Sequence, residues 1–90
     1  MVVHTILYHP KFVKEFKRLS VTEQQQAIKT ETLFRRDPLH PSLRLHAFKD
    51  RLVGSWSLSV TLSVRILFKR MENGDIVFYS IGRHDIYRSF

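Results

Sequence analysis

The sequence contains no cysteine and only three glycines and three prolines among its 90 residues. Without thiols, a disulfide framework, a thiolate zinc site and a cysteine nucleophile are all excluded. Hydrophobic residues make up 43% of the chain and aromatic residues 12%, a content that argues against disorder. The chain is therefore expected to hold its fold by packing alone.

Long apolar runs are also missing. Runs such as Ile66–Phe68 and Ile76–Tyr79 fall far short of the roughly 20 residues that a membrane-spanning helix needs. The N-terminus shows no apolar stretch of the signal-peptide type. These absences predict a cytoplasmic protein without membrane contact, and the length predicts one domain over residues 1–90.

Acidic residues are scarce, because 8 Asp and Glu face 15 Lys and Arg and leave a net charge of +7. Such a surplus on a short chain favours a polyanionic partner, either nucleic acid or an acidic protein segment. Five scattered histidines lack the spacing of metal ligands, and no glycine-rich phosphate loop or zinc signature is present. We therefore expect neither a metal nor a cofactor.

The first part of the chain predicts a short strand followed by two helices. Residues Val2–Tyr8 are rich in β-branched and aromatic types, and Pro10 suits the first position of a helix. Ser20 and Glu23 have the spacing of a capping box, which places a second helix over Val21–Arg36. The two helices are expected to form a hairpin.

The second part of the chain alternates with period two, as strands do. Leu43–Phe48 predicts one strand, and every even-numbered residue from Trp56 to Phe68 is apolar, which indicates a face directed to the core. That stretch is too long for one strand of a small domain, so a reversal is expected near Thr61–Ser63.

A further hairpin is predicted at Asn73 and Gly74, with positive φ at both residues. Ile76–Ile81 is apolar on both faces, which suits a strand inside a sheet. The fold class is therefore α+β: β-α-α followed by three or four antiparallel strands, with the helical hairpin packed on one face of a small sheet.

Five side chains stand out as candidates for chemistry at strand ends and in the loop beyond the last strand: His46, Arg65, Arg83, His84 and Tyr87. RNA can be cleaved without metal when a base takes the 2′-hydroxyl proton, a cation stabilises the phosphorane and an acid protonates the leaving oxygen. Histidine titrates near neutral pH, and arginine holds phosphate bidentately. Tyrosine stacks on unpaired bases.

Structural alternatives fit the same residues. His46 is equally a surface histidine without a chemical role, and Arg65 is equally the partner of a carboxylate such as Asp85 or Glu31. The segment from residue 82 onward also suits a polar exit loop with aromatic anchors for the C-terminus.

The sequence resembles the RelE/ParE superfamily of toxins from bacterial toxin–antitoxin modules, with the YafQ-like and RelE-like mRNA interferases most similar. The resemblance covers nearly the whole chain and depends on the order of several short stretches. These are Asp37-Pro38 after the hairpin, Leu45-His46-Ala47-Phe48-Lys49, Gly54-Ser55-Trp56, Val64-Arg65-Ile66-Leu67-Phe68, and Ile81-Gly82-Arg83-His84-Asp85-Ile86-Tyr87.

This resemblance implies a ribosome-dependent endoribonuclease that cuts mRNA with side chains rather than metal. His46 and His84 match acid–base histidines of the family, and Arg65 matches the strand arginine of the RelE type. Arg83 matches a basic residue before the active loop, and Tyr87 a terminal aromatic. The implied partners are the ribosome, mRNA and an acidic, partly disordered antitoxin protein that holds the toxin inactive.

Seven other cations are predicted to contact RNA or the ribosome: Lys11, Lys14, Lys17, Arg18, Arg44, Lys49 and Arg88. Those of the first helix equally suit a solvated face.

The sequence also departs from the family pattern. YafQ-type proteins carry a further histidine and aspartate after the tryptophan, whereas Ser57–Ser63 is shorter and contains neither. This departure leaves open a catalytically degenerate relative that acts with an antitoxin as a co-repressor. Because the same fold also serves the ParE branch, a ParE-like inhibitor of DNA gyrase is a second alternative.

Overall fold

The computed structural model describes residues 1–48 and 54–83. Its elements in chain order are β1 (Ile6–Tyr8), α1 (Pro10–Lys17), α2 (Val21–Arg36), a 3₁₀ turn (Pro41–Leu43), β2 (His46–Ala47), β3 (Ser55–Ser59), β4 (Arg65–Arg70) and β5 (Ile76–Gly82). The predicted α+β order, with a helical hairpin before four strands, is confirmed.

The five strands form one mixed sheet in the order β1-β5-β4-β3-β2. Strands β2 to β5 pair antiparallel in sequence order, whereas β1 pairs parallel with β5. The expected interior position of the last strand is confirmed, because β5 lies between β1 and β4. Strand β4 is the middle strand of the sheet.

Aromatic side chains join the helices to one face of the sheet. The ring centroid of Phe34 on α2 lies 5.2 Å from that of Phe68 on β4, and Phe12 on α1 lies 5.4 Å from Phe78 on β5. Phe34, Phe68 and Phe78 are almost completely buried. Burial of each ring contributes about 2–3 kcal/mol, so this aromatic cluster is the main support of the helical layer.

The second helix begins where the sequence predicts. Ser20 Oγ accepts the Glu23 N–H at 3.1 Å, and Glu23 Oε1 accepts the Ser20 N–H at 3.1 Å, which is the reciprocal geometry of a capping box. Within the described part of the chain, no helix combines the length and the apolar character required to cross a membrane.

The predicted strand over Leu43–Phe48 is mostly wrong. Leu43 ends the 3₁₀ turn and is buried, and Arg44 adopts a left-handed conformation with φ 46°. Only His46 and Ala47 pair with β3. Leu43 enters the core from a turn, and its apolar side chain happens to continue the alternation of the following residues. A pattern of period two therefore suggested a strand where the structure has a turn.

The predicted reversal between β3 and β4 is confirmed, although no glycine, asparagine or proline marks it. Thr61 Oγ1 accepts the backbone N–H of Val64 at 3.0 Å and that of Ser63 at 3.2 Å, so a threonine hydroxyl closes the turn. Leu62 was expected in the core but is 84% exposed, because it lies at the tip of this turn.

The predicted hairpin at Asn73 and Gly74 is confirmed, with one correction. Gly74 has φ +92°, but Asn73 does not have positive φ as expected. The Asn73 side chain instead accepts the Asp75 N–H at 3.0 Å, and the Met71 N–H donates to the Asp75 carbonyl at 2.7 Å. The reversal is therefore a longer loop stabilised by the asparagine side chain.

The end of β5 is held by a carboxylate on α1. Strand β1 ends at Tyr8, so among the described residues the edge of β5 beyond Phe78 has no neighbouring strand on that side. Glu15 Oε1 accepts the Ser80 hydroxyl at 2.6 Å and the Ile81 N–H at 3.3 Å, while its Oε2 lies 2.9 Å from Lys11 Nζ. Ser80 is completely buried, and Glu15 provides the acceptor for its hydroxyl as well as for the Ile81 N–H on the edge of the strand.

Glu15→Ala is expected to lower the free energy of unfolding by about 1.5–3 kcal/mol, because it leaves a buried hydroxyl and a strand N–H without their charged acceptor. Glu15→Gln, which keeps one side-chain oxygen, should cost less. Urea denaturation measures both, with the exposed Glu72→Ala as control. A Glu15→Ala midpoint equal to that of the control would contradict this role.

Candidate functional site

Two of the predicted chemical residues lie in one groove on the sheet face opposite the helices. We call this the histidine–arginine groove; it has a volume of about 350 Å³ and is lined by Arg44, His46, Phe48, Ser57 and Arg65. His46 on β2 is opposite Ser57 on β3, and Arg65 on β4 is opposite Ser59. Because side chains alternate along strands, this register brings the imidazole and the guanidinium to the same face.

Small side chains keep this groove open. Ser57 is almost completely buried at its floor, between the positions of His46 and Leu67 on the neighbouring strands. A larger side chain at this position would fill the space between the cations. The serine alternation therefore provides room for a ligand beside Arg65.

His46 is itself oriented by an aromatic neighbour. Its ring centroid lies 5.0 Å from that of Phe48, and the two rings are perpendicular. An edge-on aromatic contact restricts how the imidazole rotates.

Glu31 was considered in the sequence as a carboxylate partner of Arg65. In the structure it instead binds the Tyr8 hydroxyl and lies 3.8 Å from Arg35.

Arg44 adds a second guanidinium and an unusual backbone. It is the one non-glycine residue with positive φ within residues 1–48 and 54–83. Its N–H donates to the Pro41 carbonyl at 3.1 Å, which fixes this conformation at the end of the 3₁₀ turn. Left-handed backbone at a non-glycine residue costs about 1 kcal/mol and tends to occur at functional sites.

Arg83 was predicted with the chemical residues, but the structure does not place it in the histidine–arginine groove. Its Nη2 donates to Glu23 Oε2 at 2.7 Å, across to the first turn of α2. The pKa of the Glu23 carboxyl is lowered, first by the hydrogen bond from the Ser20 N–H and also by the Arg83 charge. Glu23 therefore both caps α2 and binds the residue that follows β5.

The lowered pKa of Glu23 predicts a pH dependence of stability. Its carboxylate contribution is complete above the pKa of an unfolded glutamate, about 4.3, and is lost as the pH falls through the lower pKa of the folded state. Glu23→Gln keeps the capping geometry without the charge. Between about pH 6 and pH 3 its free energy of unfolding should therefore fall less than that of the wild type.

Urea midpoints measured across this pH range test the effect. The exposed Glu72→Gln, which removes a carboxylate from the β4–β5 loop, is the control and should follow the wild type. Identical pH profiles for Glu23→Gln and the wild type would show that neither the cap nor Arg83 stabilises the charged form.

The other predicted residues are distributed as follows. His84, Tyr87, Arg88 and Lys49 lie outside the described residues. Of the remaining cations, Arg44 lines the histidine–arginine groove. The cations of the first helix and its C-terminal end do not line it: Lys11, Lys14, Lys17 and Arg18. Lys11 is paired with Glu15.

A second groove, which the sequence did not reveal, lies on the helical side. This helix groove has a volume of about 330 Å³, and its walls include Val13 and Phe16 of α1, Ala27 and Ile28 of α2, and Phe78. Ile28 is 57% exposed. The signal available in the sequence was the irregular apolar stripe of α2, in which Ala27 and Phe34 are buried whereas Val21 and Ile28 are exposed.

Tyr8 and Glu31 also border the helix groove, and the Tyr8 hydroxyl donates to a Glu31 carboxylate oxygen. Burial and this hydrogen bond raise the pKa of the Tyr8 phenol. The phenol is therefore a hydrogen-bond donor at neutral pH.

Within the described residues, no group of three or more His, Asp or Glu side chains is arranged to hold a metal ion.

No protein-family model matches the sequence, and no curated protein matches it. Solved structures do match over almost their whole length. YafQ from E. coli strain BL21(DE3) superposes with a TM-score of 0.77 at 17% identity, covering 93% of this chain and 97% of YafQ. The YoeB/ParE toxin from Agrobacterium tumefaciens gives 0.75 at 12% identity, with 90% and 99% covered.

A chain of the RelBE2 toxin–antitoxin complex from Mycobacterium tuberculosis gives a TM-score of 0.74 at 13% identity, with 90% of this chain and 98% of that chain covered. At these identities the comparisons show the fold. The resemblance found in the sequence is confirmed at that level, because the chain has the fold of the YafQ, YoeB and RelE toxins.

Proposed function

We propose that this chain, which has the fold of the RelE/ParE toxins, is the toxin of a type II toxin–antitoxin module and an endoribonuclease that cleaves mRNA on the ribosome, in the cytoplasm. The observation that carries the proposal is the presence of His46 and Arg65 in one open groove with Arg44. A gyrase inhibitor has no need of a histidine beside two phosphate-binding cations.

The chemistry is transfer of the phosphate from the 5′-oxygen to the adjacent 2′-oxygen. The 2′-oxygen forms the new bond to phosphorus while the bond to the 5′-oxygen breaks. A base takes the 2′-hydroxyl proton, and an acid gives a proton to the departing oxygen. His46 acts as one of these two groups, the base or the acid. The other role is assigned to His84, which lies outside the described residues.

Two guanidinium groups hold the reacting phosphate in this proposal. Arg65 and Arg44 border the same groove as His46, and in this proposal both guanidinium groups bind the phosphate held there. Arginine keeps its charge and binds two phosphate oxygens at once, which stabilises the extra charge of the phosphorane.

His46→Ala is expected to lower the rate of mRNA cleavage at least about 100-fold, since general acid–base assistance is worth this much. Arg65→Ala should lower it about 100- to 1000-fold through loss of charge stabilisation. Primer extension on mRNA in a cell-free translation reaction measures both rates and locates the cut. The same variants should relieve growth arrest when expressed in bacteria.

The chain provides matched controls. His4→Ala removes another exposed histidine, and Arg70→Ala removes an exposed arginine at the opposite end of β4; both should cleave as the wild type does. Cleavage undiminished in the His46 and Arg65 variants would overturn the assignment of the site. Growth arrest with intact mRNA and impaired supercoiling would identify a gyrase inhibitor instead.

We further propose an acidic, partly disordered antitoxin as the partner that fills the helix groove with an amphipathic helix. The groove is mostly apolar, as such a helix requires, and two cations lie one helical turn from residues that line it. Lys17 lies one turn after Val13 on α1, and Arg35 lies one turn after Glu31 on α2. Acidic side chains beside the apolar stripe of the partner would meet both.

Ile28→Glu is expected to preserve growth arrest but to abolish its rescue by the antitoxin, because it places a charge in the apolar groove. The probe is the acidic product of the neighbouring reading frame, co-expressed with the variant. Leu39→Glu changes another exposed apolar residue away from the groove and should still be rescued. Normal rescue of Ile28→Glu would exclude the helix groove as the docking site.

A further inference from the structure

A β-bulge lies in β5, in the interior of the sheet. Leu67 pairs with Ser80, whereas the next residue, Phe68, pairs with Phe78, so Tyr79 is the additional residue. Bulges redirect a side chain at the expense of a regular ladder and often occur beside active sites. The position of Tyr79 is therefore informative.

Tyr79 contacts a histidine and a lysine from two other elements. Its ring centroid lies 5.1 Å from that of His9, which precedes α1, and Lys69 Nζ on β4 lies 5.2 Å from the ring centroid. The second contact has the geometry of a cation–π interaction. We call these three residues the Tyr79 cluster.

The hydrogen bonding of His9 determines which ring atom is available to a ligand. His9 Nδ1 accepts the Lys11 N–H at 3.1 Å and so caps the first turn of α1. An accepting Nδ1 places the proton of the neutral imidazole on Nε2. The side chain of this exposed residue therefore offers an N–H donor at the sheet surface.

The Tyr79 cluster and the histidine–arginine groove lie on the same face of the sheet. Arg65 and Lys69 are four residues apart on β4, and both alternate with the core residues Ile66 and Phe68. At about 3.3 Å per residue, their Cα atoms are about 13 Å apart. The central strand thus carries one cation at the candidate site and a second farther along it.

We propose that the Tyr79 cluster is a second contact site for single-stranded RNA, occupied by a nucleotide of the strand whose scissile phosphate lies at Arg65. Lys69 contacts a phosphate, and the His9 imidazole donates to, or stacks on, the same nucleotide. Sheet faces that combine aromatic side chains with cations bind unpaired RNA in this way. The inference rests on the proposed function, because it extends the RNA path of that groove.

Neighbouring charges limit the extent of this second site. Beyond Lys69 the β4–β5 loop carries Glu72 and Asp75, whose charges repel a phosphate. The RNA contact is therefore confined to Lys69 and His9, with Tyr79 as the positioning residue.

Binding of a short 2′-O-methyl oligouridylate, measured by fluorescence anisotropy at several salt concentrations, tests the site without cleavage. Lys69→Gln is expected to weaken binding about threefold to tenfold and to reduce the salt slope by about 0.7 to 1. Tyr79→Leu should weaken binding similarly, whereas Tyr79→Phe, which keeps the ring, should stay near the wild type.

His9→Asn is the sharpest variant, because asparagine also caps a helix but has no imidazole. It should weaken RNA binding about twofold to fivefold at unchanged thermal stability. His40→Asn is its matched control, since His40 caps the 3₁₀ turn in the same way through Nδ1. Lys29→Gln, at an exposed position of α2, is the control for Lys69→Gln.

The outcomes separate this proposal from the proposed function. Equal binding by Lys69→Gln and Lys29→Gln overturns the second site, even where His46→Ala abolishes cleavage. Selective loss of RNA binding in the Tyr79 cluster variants supports the site, even where no mRNA is cut. A glutamate-rich peptide of matched charge that binds as tightly, with the same dependence on Lys69, would show a general anion surface and overturn the assignment to RNA.

Discussion

The alternation of side chains along β4 is the constraint on which both faces of the sheet depend. Ile66 and Phe68 enter the core beneath the helices, and Arg65 and Lys69 lie on the opposite face. A shift of one residue in register would exchange the two sets, burying the cations and exposing the aromatic ring. The register is protected at the β3–β4 turn, where the Thr61 hydroxyl accepts two backbone N–H groups.

The same alternation shows how much of the fold the sequence could predict. The even-numbered apolar residues of β3 and β4, the capping box at Ser20 and the Asn73–Gly74 reversal are local patterns with local physical causes, and the structure confirms them. The errors occur where tertiary contacts override such patterns. Leu43 reaches the core from a 3₁₀ turn rather than a strand, and Leu62 is apolar at an exposed turn.

For the candidate site, the sequence identified residue types but not their neighbours. His46 and Arg65 come together only through the β2–β3 and β3–β4 registers, which no local pattern of β2 specifies because that strand has two residues. Arg83 pairs with Glu23, sixty residues earlier in the chain. The Tyr79 cluster depends on the bulge in β5, and the sequence does not reveal this bulge, because the glycine of β5 lies at its last position rather than beside Tyr79.

Two carboxylates from the helical layer meet the chain where β5 ends. Because β1 stops at Tyr8, no strand among the described residues lies on that side of the last residues of β5, and Glu15 there accepts the Ile81 N–H together with the Ser80 hydroxyl. Directly after β5, Arg83 donates to Glu23 in the first turn of α2. A carboxylate can accept several donors at once, whereas a longer β1 would pair only the backbone. The helices thus fix the end of the strand that carries Tyr79, and they do so with side chains that leave the opposite face of the sheet open.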